Sequence, residues 1–299
     1  MKRKSLQGFI NINKPKGLTS FSVIKRLRRF LPDVKLGFVG TLDPIATGVL
    51  PVCIGFATRL ENEAVTSSKD YEISGLFGQS TDSFDSTGKI IDENPYDHIK
   101  EEMLEDIFPS FRGSKPQKAP IFSALKQGGA RMYDLARAGI HIEPKIRTVE
   151  LFEIDLTFFD LPKFTLRITC GKGFYARSLV HDIGLAFNSS AHMTDLERIR
   201  SGIFGIDASI CLEDAEKILE RGDVETILYP TQAVLPESKK IILKPKELQD
   251  ILNGTEVELM GYAINEGEKL AFLDSNNLLV GVGIFSNGLA VPNKVISNE

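Results

Sequence analysis

The sequence predicts an α+β fold with a small β-barrel-like appendage at its C-terminal end. Along the first 230 residues, several segments alternate apolar and polar residues, as strands with one buried face do. Amphipathic helical segments lie between these strands, and there is no internal repeat or low-complexity tract. From about residue 238 onward the sequence changes to short strands separated by turns. Strands and helices in this mixed order are typical of the α+β class.

The first elements are a strand and a helix joined by a polar turn. GFININ alternates as a half-buried strand does, and NKPKGLTS follows as a turn. In the segment SFSVIKRLRRFLP, apolar residues recur at helical spacing, and either of the two hydroxyl residues before it can cap the helix. The apolar face is predicted to consist of Phe21, Ile24, Leu27 and Leu31, with Lys25, Arg26, Arg28 and Arg29 exposed opposite.

The middle of the chain continues the same mixture of elements. DYEISGLFG is predicted to be a strand, followed by the polar turn STDSFDSTGKII that returns into another strand. DHIKEEMLEDIFPSF is an acidic amphipathic helix. The segment RGSKPQKAPIFSALKQGGARMYDLARAG has many cations, glycines and prolines, which indicates an extended arm followed by a short helix.

The remaining elements include an antiparallel strand pair. VELFEIDLTFFD and KFTLRITCGKG alternate regularly and are predicted to pair. The helices predicted after them are FYARSLVHDIGLAF, ASICLEDAEKILERG and the shorter PKELQDILNG. The strands predicted in the C-terminal module are VELMGYAI, EKLAFLD, NNLLVGVGIF and LAVPNKVI.

Composition excludes several classes of protein. No apolar run approaches the ~18 residues that a membrane span requires, so no membrane association is expected. Cys53, Cys170 and Cys211 are far apart and form no CxxC pair, which favours a reducing cytoplasm. The four histidines show no zinc-ligand spacing, so no metal is predicted.

Charge is strongly segregated along the chain. The net charge of −4 conceals a balance of +9 over residues 1–59 and +6 over residues 112–147. Residues 61–106 carry −10 and residues 207–299 carry −8. Any single cluster of this kind is usually a solvated face. Two basic blocks that alternate with two acidic ones favour a polyanionic partner such as nucleic acid.

The stretch GFVGTLDPIATGVLPVCIG, residues 37–55, has a single acidic side chain, Asp43. Asp followed by Pro often begins a helix, with Asp as the N-cap. However, the four glycines of the stretch permit close approach of an external group, and Pro44 restricts the direction of Asp43. The surroundings are apolar, so a carboxylate here is costly unless it is paired. We therefore expect a cation from elsewhere in the chain, in an arrangement that suits covalent or acid–base chemistry.

Two other chemistries fit this carboxylate less well. One carboxylate cannot hold Mg²⁺ alone, and the neighbouring residues offer no further ligands. A glycosidase needs a second catalytic carboxylate, which the sequence does not place.

Six segments resemble the TruB family, the tRNA pseudouridine-55 synthases, in the family's order between Gly8 and Ser209. GTLDPIATGVLP is similar to the active-site loop and NKPKGLTS to the first motif of the family. The other four are KDYEISGLFGQSTDSFDSTG, QKAPIFSALKQGGARMYDLARAG, CGKGFYARSLVHDIG and AHMTDLERIRSGIF. The resemblance implies a mixed, largely antiparallel central sheet flanked by helices in residues 1–230, with a basic RNA-gripping insertion at about 108–147. It further implies that residues 238–297 form a small PUA-like RNA-binding domain.

The resemblance also implies catalytic roles for three residues. Asp43 matches the aspartate that acts when the uracil–ribose C–N bond breaks, and Arg177 matches the arginine that pairs with it. Tyr71 matches the tyrosine that stacks on the target base. Without the motifs, Arg177 would be interpreted as a surface ion pair and Tyr71 as a core aromatic residue. The implied reaction isomerises uridine to pseudouridine without a cofactor.

The substrate contacts implied are less specific. Leu196 matches an apolar wall of the uracil pocket, although an ordinary buried leucine would look the same. A uridine in a folded loop must leave its stack before a carboxylate can approach it, so basic surfaces around the pocket are expected to hold phosphates. The candidate phosphate contacts are Lys14, Lys16, Lys115, Lys118, Lys126 and Arg131. The implied partner is the T-arm of tRNA, with no obligatory protein partner and a monomeric state.

The chain departs from the family pattern at three positions. Phe38 stands where histidine is usual, Phe122 where tyrosine is usual, and Glu197 where a basic residue is usual. Phe38 is still able to stack on a base. Two other functions stay open: a tRNA-binding folding chaperone without catalysis, and a pseudouridine synthase that acts on another RNA, such as a guide-dependent one.

Overall fold

The computed structural model describes residues 6–65, 68–122, 126–127, 130–131, 144–235, 238–259 and 261–296. Its α-helices are α1 (Ser20–Leu27), α2 (Glu61–Val65), α3 (Glu101–Phe111), α4 (Ala176–Ala186), α5 (Leu212–Arg221) and α6 (Pro245–Leu252). Its strands are β1 (Gly8–Lys14), β2 (Leu36–Phe38), β3 (Thr47–Ile54), β4 (Lys69–Phe77), β5 (Gln79–Thr81), β6 (Ile90–Glu93), β7 (Gly113–Lys118), β8 (Lys126–Gln127), β9 (Ala130–Arg131), β10 (Ile146–Asp160), β11 (Lys163–Cys170), β12 (Ala191–Ser201), β13 (Phe204–Gly205), β14 (Ile210–Cys211), β15 (Lys239–Ile242), β16 (Lys269–Leu273), β17 (Leu279–Ser286) and β18 (Leu289–Val295). None of the helices in these ranges is long and apolar enough to span a bilayer.

A ten-stranded sheet forms the centre of the molecule. Its strands follow the order β14-β1-β3-β12-β4-β11-β10-β7, with β2 paired to β3 and β13 paired to β12. Two pairings, β1 with β14 and β12 with β3, are parallel, and the others are antiparallel. This confirms the mixed, largely antiparallel sheet that the family resemblance implies.

Strand β3 lies between two apolar layers. Val52 and Ile54 pack into the larger core, which lies between the sheet and helices α1, α3, α4 and α5. Val49 and Cys53 point to the opposite face, into a second apolar cluster. A strand covered on both faces has a continuous apolar sequence instead of an alternating one. The run TGVLPVCI therefore could not be recognised as a strand by alternation. Asp43 lies four residues before this strand, which is buried along almost its whole length.

Helix α1 corrects one predicted face. Thr19 is its N-cap, and its side chain accepts a hydrogen bond from the Ser22 N–H. Val23, Ile24 and Leu27 are buried, whereas Phe21 is 63% exposed. The helix is only eight residues long, and Val23 occupies the inward position for which the sequence analysis selected Phe21. The prediction for Phe21 was wrong.

The C-terminal module has its own four-stranded sheet, β15-β16-β17-β18, and its own apolar core. It also packs against the central sheet, because Ala271 and Leu279 share the second cluster with Phe9 and Val49. One strand predicted here was wrong: VELMGYAI contributes only an isolated bridge between Val257 and Ala290. Glycines with positive φ on both sides, at 254 and 261, interrupt the extended backbone there.

The basic insertion begins and ends on an edge hairpin. Strands β7 and β10 pair antiparallel from Gly113 opposite Leu151 to Lys118 opposite Ile146. Beyond this pair, the backbones of β8 and β9 pair through Lys126 and Arg131. The short helix predicted in the insertion falls largely on residues 132–143, which lie outside the described residues.

Candidate active site

Asp43 lies in the connection between β2 and β3, and no helix begins there. The alternative that Asp43 caps a helix is therefore wrong. Its carbonyl accepts from the Ala46 N–H at 3.1 Å, which closes a turn around Pro44. On the preceding side, Ser20 Oγ accepts from the Leu42 N–H at 2.9 Å, which fixes the loop to the start of α1. The Asp43 side chain keeps 34% of its surface exposed, so the loop presents the carboxylate instead of burying it completely.

Arg177 supplies the cation that the apolar surroundings of Asp43 require. It lies in the first turn of α4, and its side chain is only 4% exposed. Its Nη2 donates to Asp43 Oδ1 at 3.1 Å, and its Nε lies 2.9 Å from Asp43 Oδ2 in an ion-pair contact off the ideal hydrogen-bond direction. Two-point contact between a guanidinium and a carboxylate fixes the orientation of both groups. The structure thus brings together the two residues that sequence placed 134 positions apart.

Arg177 also contacts backbone from two other parts of the chain. Its Nη1 donates to the Ser83 carbonyl at 3.2 Å, and its Nη2 donates to the Phe122 carbonyl at 3.1 Å. Phe122 lies within the basic insertion, four residues after the end of β7. Arg177 therefore joins the Asp43 loop, the turn after β5 and the base of the insertion.

Asp85 is a second carboxylate at this site that the sequence analysis did not identify. It is 4% exposed, and its Oδ2 lies 3.6 Å from Arg177 Nη1. Its Oδ1 accepts from Ser83 Oγ at 2.8 Å and from the Thr87 N–H at 2.9 Å. An acid followed by Ser-Thr-Gly in STDSFDSTG indicates a self-bonded turn, but nothing in the sequence shows that the turn faces Arg177.

Tyr71 reaches the site from β4, opposite Arg198 of β12. Burial raises the pKa of the Tyr71 hydroxyl above its usual range, and the Asp43 charge adds to this effect. The Arg198 guanidinium opposes it through its charge and a hydrogen bond. Arg198 itself is completely buried and also donates to the carbonyls of Val49 at 2.6 Å and Gly40 at 3.0 Å. It thereby ties Tyr71 to the strand and loop that flank Asp43.

Leu196, the predicted apolar wall residue, follows a residue that pairs with the predicted cation Lys16. Leu196 is 6% exposed on β12, opposite Ile73 of β4. The preceding residue, Asp195, accepts a salt bridge from Lys16 Nζ at 3.2 Å, and about half of each side chain remains exposed. Lys16 is thus at the surface, as a phosphate contact must be. The pair is exposed enough that a competing anion can replace it at low cost.

Lys14 is the clearest correction to the predicted substrate contacts. Its side chain is fully buried, and its Nζ donates to the carbonyls of Leu18 at 2.6 Å and Pro15 at 3.0 Å. Burial lowers the pKa of Lys14 to about 8, although the Asp43 charge opposes this shift. An ammonium enclosed by backbone carbonyls cannot reach an external phosphate. It instead fastens the β1–α1 turn beside Asp43, whose neighbour Pro44 has its carbonyl 3.5 Å from the same Nζ.

The other predicted contacts lie where RNA can reach them, or outside the described side chains. Phe38 is partly exposed on β2, five residues before Asp43. Lys115 and Lys118 are exposed on β7, the edge strand at the base of the insertion. For Lys126 and Arg131 the backbone is described, but their side chains are not among the described ones.

The charge environment of Asp43 favours an ionisable but constrained carboxylate. Burial raises the pKa of the Asp43 carboxyl above its ordinary value, and the nearby Asp85 charge adds to this. Arg177 and, more weakly, Lys14 act in the opposite direction. A carboxylate that is oriented, partly desolvated and still accessible can act as a nucleophile or base. Among the described residues there is no group of three or more His, Cys, Asp or Glu arranged to hold a metal ion.

Comparison with known proteins agrees with this geometry. Residues 28–176 match the family model of the "TruB family pseudouridylate synthase (N terminal domain)". Residues 177–240 match that of the "tRNA pseudouridylate synthase B C-terminal domain". The tRNA pseudouridine synthase B of Syntrophomonas wolfei is 38% identical over 285 residues, which cover 91% of this chain and 94% of the relative. That of Idiomarina loihiensis is 31% identical and covers the whole chain and 96% of the relative.

Solved structures share the fold over nearly the whole chain. A structure of a Cbf5-Nop10-Gar1 complex contains a chain that superposes with a TM-score of 0.72 and 25% identity. The match covers 96% of this chain and 84% of the other. An archaeal box H/ACA sRNP Nop10-Cbf5 complex gives a TM-score of 0.70 at 24% identity, which shows likeness of fold. On the family models and the near-full-length relatives together, the chain belongs to the TruB family of pseudouridine synthases.

Proposed function

We propose that this protein converts uridine 55 in the T-loop of tRNA to pseudouridine, with Asp43, Arg177 and Tyr71 as its catalytic residues. The observation that carries the proposal is the two-point Asp43–Arg177 pair, in which the arginine is buried and the Asp43 side chain, in an otherwise apolar loop, stays one-third open to solvent. The relatives from Syntrophomonas wolfei and Idiomarina loihiensis, which match this chain over more than nine-tenths of their own length, are named for action on tRNA. The geometry of the pair and the names of these relatives both support the proposal.

The chemistry needs no partner beyond the nucleotide. The bond between C1′ and N1 of the uridine breaks, the uracil rotates, and a new bond joins C1′ to C5. The proton lost from C5 is balanced by one gained at N1, so the product is an isomer of the substrate and no oxidant or reductant is consumed. Asp43 acts on the C1′ or C6 side of this exchange or assists formation of a glycal intermediate, and its fixed direction suits all three routes.

The surrounding residues receive the flipped base. Tyr71 stacks on the uracil and is the candidate for handling the C5 proton. Leu196 forms the apolar wall, and Phe38 stacks at the pocket mouth. Extrusion of a base is favourable only when the protein replaces the lost stacking, which aromatic and apolar walls do.

Phosphate contacts are assigned to exposed cations at the edge of the site. Lys16, Lys115 and Lys118 lie at the surface, and Lys126 and Arg131 are further along the insertion, on β8 and β9. We further propose two domains, residues 1–230 and 238–297, with the insertion at about 108–147. The proposed state is a monomer in the cytoplasm, without membrane or obligatory protein partner. The three cysteines are free thiols, which fits a reducing compartment.

Two other functions make different predictions. A chaperone that only binds tRNA does not require an oriented, partly desolvated Asp43–Arg177 pair, because binding energy alone needs no reactive carboxylate. A synthase that acts on another RNA through a guide needs further components, as the complex named for Cbf5, Nop10 and Gar1 has. The basic insertion of this chain supports recognition of the tRNA without a guide.

The deciding experiment maps pseudouridine after the purified protein acts on two unmodified RNAs, a full tRNA transcript and an isolated T-arm hairpin. We expect complete conversion at position 55 in both, with no other protein or RNA added. Asp43→Asn should abolish conversion and leave tRNA affinity within about threefold, because the amide keeps the shape of the carboxylate. Wild-type protein that binds tRNA without converting it would instead establish the chaperone, and conversion only with a guide would establish the other synthase.

A further inference from the structure

Two side chains of helix α4, one turn apart, hold the turn that carries Asp85. Arg177 and His181 are four residues apart and so lie on the same face of the helix. Arg177 donates to the Ser83 carbonyl at 3.2 Å. The His181 ring stacks on Phe84, with 3.9 Å between ring centroids and 11° between ring planes. The helix therefore grips residues 83 and 84 from two adjacent points, directly before Asp85.

The imidazole is also fixed from its edge. His181 Nδ1 lies 3.1 Å from Ser80 Oγ, at the end of β5 from which the turn departs. Burial lowers the pKa of His181, and the charge of Lys118 lowers it further, so the ring is neutral at physiological pH. The hydrogen bond at the ring edge and the stack on the ring face both restrict the orientation of His181. Through the stack, the His181 ring in turn restricts the position of the Phe84 ring.

Phe84 has a backbone conformation that is unfavourable for a residue with a bulky side chain. Its φ is +62°, in the left-handed region that a bulky residue rarely occupies and that glycine occupies freely. The backbone is nevertheless well bonded, since the Phe84 N–H donates to the Thr81 carbonyl and its own carbonyl accepts from the Met193 N–H. Such a conformation persists where the surroundings determine it from several sides. The ring must therefore contribute something that glycine cannot, and its one stacking partner among the described aromatic contacts is His181.

We propose that the Phe84–His181 stack is a positioning element of the active site, which holds the Ser83 carbonyl and the Asp85 carboxylate against Arg177. Arg177 in turn fixes the orientation of the Asp43 carboxylate. The inference rests on the function proposed above, because it takes Asp43 and Arg177 to be catalytic. Phe84 and His181 act through Arg177 and are not assigned a contact with the substrate. Asp85 contacts Arg177 at 3.6 Å, a separation that a small shift of the turn would change.

The test compares the rate of pseudouridine formation in a single turnover with tRNA affinity and thermal stability. Phe84→Gly removes a partly buried, stacked ring but also relieves the left-handed backbone, so the two effects oppose each other and its melting temperature should stay within about 4 °C of the wild type. We expect its single-turnover rate to fall at least about tenfold, because small misplacements at a reacting centre cost this much. Its Kd for tRNA should stay within about twofold. Asn277→Gly, a second non-glycine residue in left-handed backbone (φ +63°) in the C-terminal module, is the matched control and should leave all three quantities unchanged.

Two further variants separate positioning from general folding effects. His181→Phe preserves an aromatic face for Phe84 and should recover most of the rate that His181→Ala loses. In the double variant Phe84→Gly/Asp85→Asn, the rate should be close to that of Asp85→Asn alone, because both changes act through the same contact with Arg177.

Each outcome decides the inference. A wild-type rate for Phe84→Gly, rate losses that multiply in the double variant, or a loss of melting temperature and affinity in proportion to the rate would overturn it. Asp43→Asn is measured alongside. If that variant keeps its activity, the proposed function is wrong whatever Phe84→Gly shows. If Asp43→Asn is inactive and Phe84→Gly is normal, only the positioning role of the stack is lost.

Discussion

Replacement of Arg177 by methionine tests whether Asp43 depends on its partner for burial. The Arg177 side chain is 4% exposed and lies within 3.6 Å of two carboxylates, those of Asp43 and Asp85. Removal of one member of a buried charge pair costs about 3–5 kcal/mol, because the remaining charge is left without compensation. Since each kcal/mol moves the melting temperature of a protein of this size by roughly 2–4 °C, we expect a decrease of about 6–20 °C at pH 8.

The pH dependence of this loss has a definite sign. Without Arg177, burial and the Asp85 charge both raise the pKa of Asp43, and the main opposing charge is gone. The folded variant then binds protons at a higher pH than the unfolded chain does, so its stability increases as the pH falls. Protonation of one carboxyl is worth about 1.4 kcal/mol per pH unit over the interval between its unfolded and folded pKa values. The stability deficit of Arg177→Met should therefore shrink between pH 8 and pH 5.

The assay is urea unfolding followed by circular dichroism, for the wild type and three variants at pH 8 and pH 5. The variants are Arg177→Met, Arg177→Met with Asp43→Asn, and Arg177→Met with both Asp43→Asn and Asp85→Asn. Because each amide removes one uncompensated charge, stability at pH 8 should recover in two steps. A cost below about 1 kcal/mol at both pH values, or no recovery in the double variant, would refute the idea that charge balance holds this site together.

Three further predictions concern residues around the pair. The Lys14 pKa of about 8 in the folded protein lies below its unfolded value, so the wild type gains about 2–3 kcal/mol of stability as the pH rises from 8 to 10.5. Lys14→Met lacks this gain and should therefore become less stable relative to the wild type over the same interval, which unfolding curves of both proteins at the two pH values will measure. Tyr71→Phe should retain tRNA affinity and slow the single-turnover rate about 10²-fold if the hydroxyl handles the C5 proton, and a normal rate would restrict Tyr71 to stacking. Lys115→Glu with Lys118→Glu should weaken tRNA binding and reduce the slope of log K against log salt by about 2. Lys217→Glu on helix α5, an exposed position outside both the insertion and the C-terminal module, should change neither, as filter binding at several salt concentrations will show.

The sequence predicted those elements whose pattern arises from one exposed and one buried face. β4, β10 and β11 alternate in this way, and all three were identified as strands. β1 was also identified by alternation, but its prediction as a half-buried strand was wrong: Phe9 lies in the second apolar cluster and Ile10 in the larger core, so both of its faces are covered. β3 was not identified as a strand, because both of its faces are covered and its apolar run carries no period. Phe21 was predicted to be buried because it recurs at helical spacing with Ile24 and Leu27. Val23 has equivalent spacing, and the sequence does not show which of the two overlapping apolar faces packs against the sheet.

The site could be predicted where one residue type requires another. A carboxylate in an apolar loop needs a cation, so a partner for Asp43 was expected before any motif identified it as Arg177. No such rule applies to Asp85, because the bonds inside its own turn satisfy one carboxylate oxygen, and its relation to Arg177 arises from tertiary structure. Arg198 was missed for the same reason, since its main partners are backbone carbonyls, which leave no trace in the side-chain sequence.

Several of the N-terminal cations bond within the protein, so the number of Lys and Arg residues in this segment overstates the charge that is available to bind RNA. Of the eleven Lys and Arg in residues 1–59, Lys14 is enclosed by carbonyls, and Arg26 forms a salt bridge with Glu216 of helix α5 at 2.5 Å. Arg59 donates to the Val295 carbonyl in the C-terminal module. These three cations hold the protein together, so they contribute less to a field directed at RNA than their formal charge suggests. The salt dependence of tRNA binding should therefore follow the cations that remain exposed, which include Lys16 of the N-terminal block and Lys115 and Lys118 of β7, and should be smaller than the formal charge of the two blocks implies.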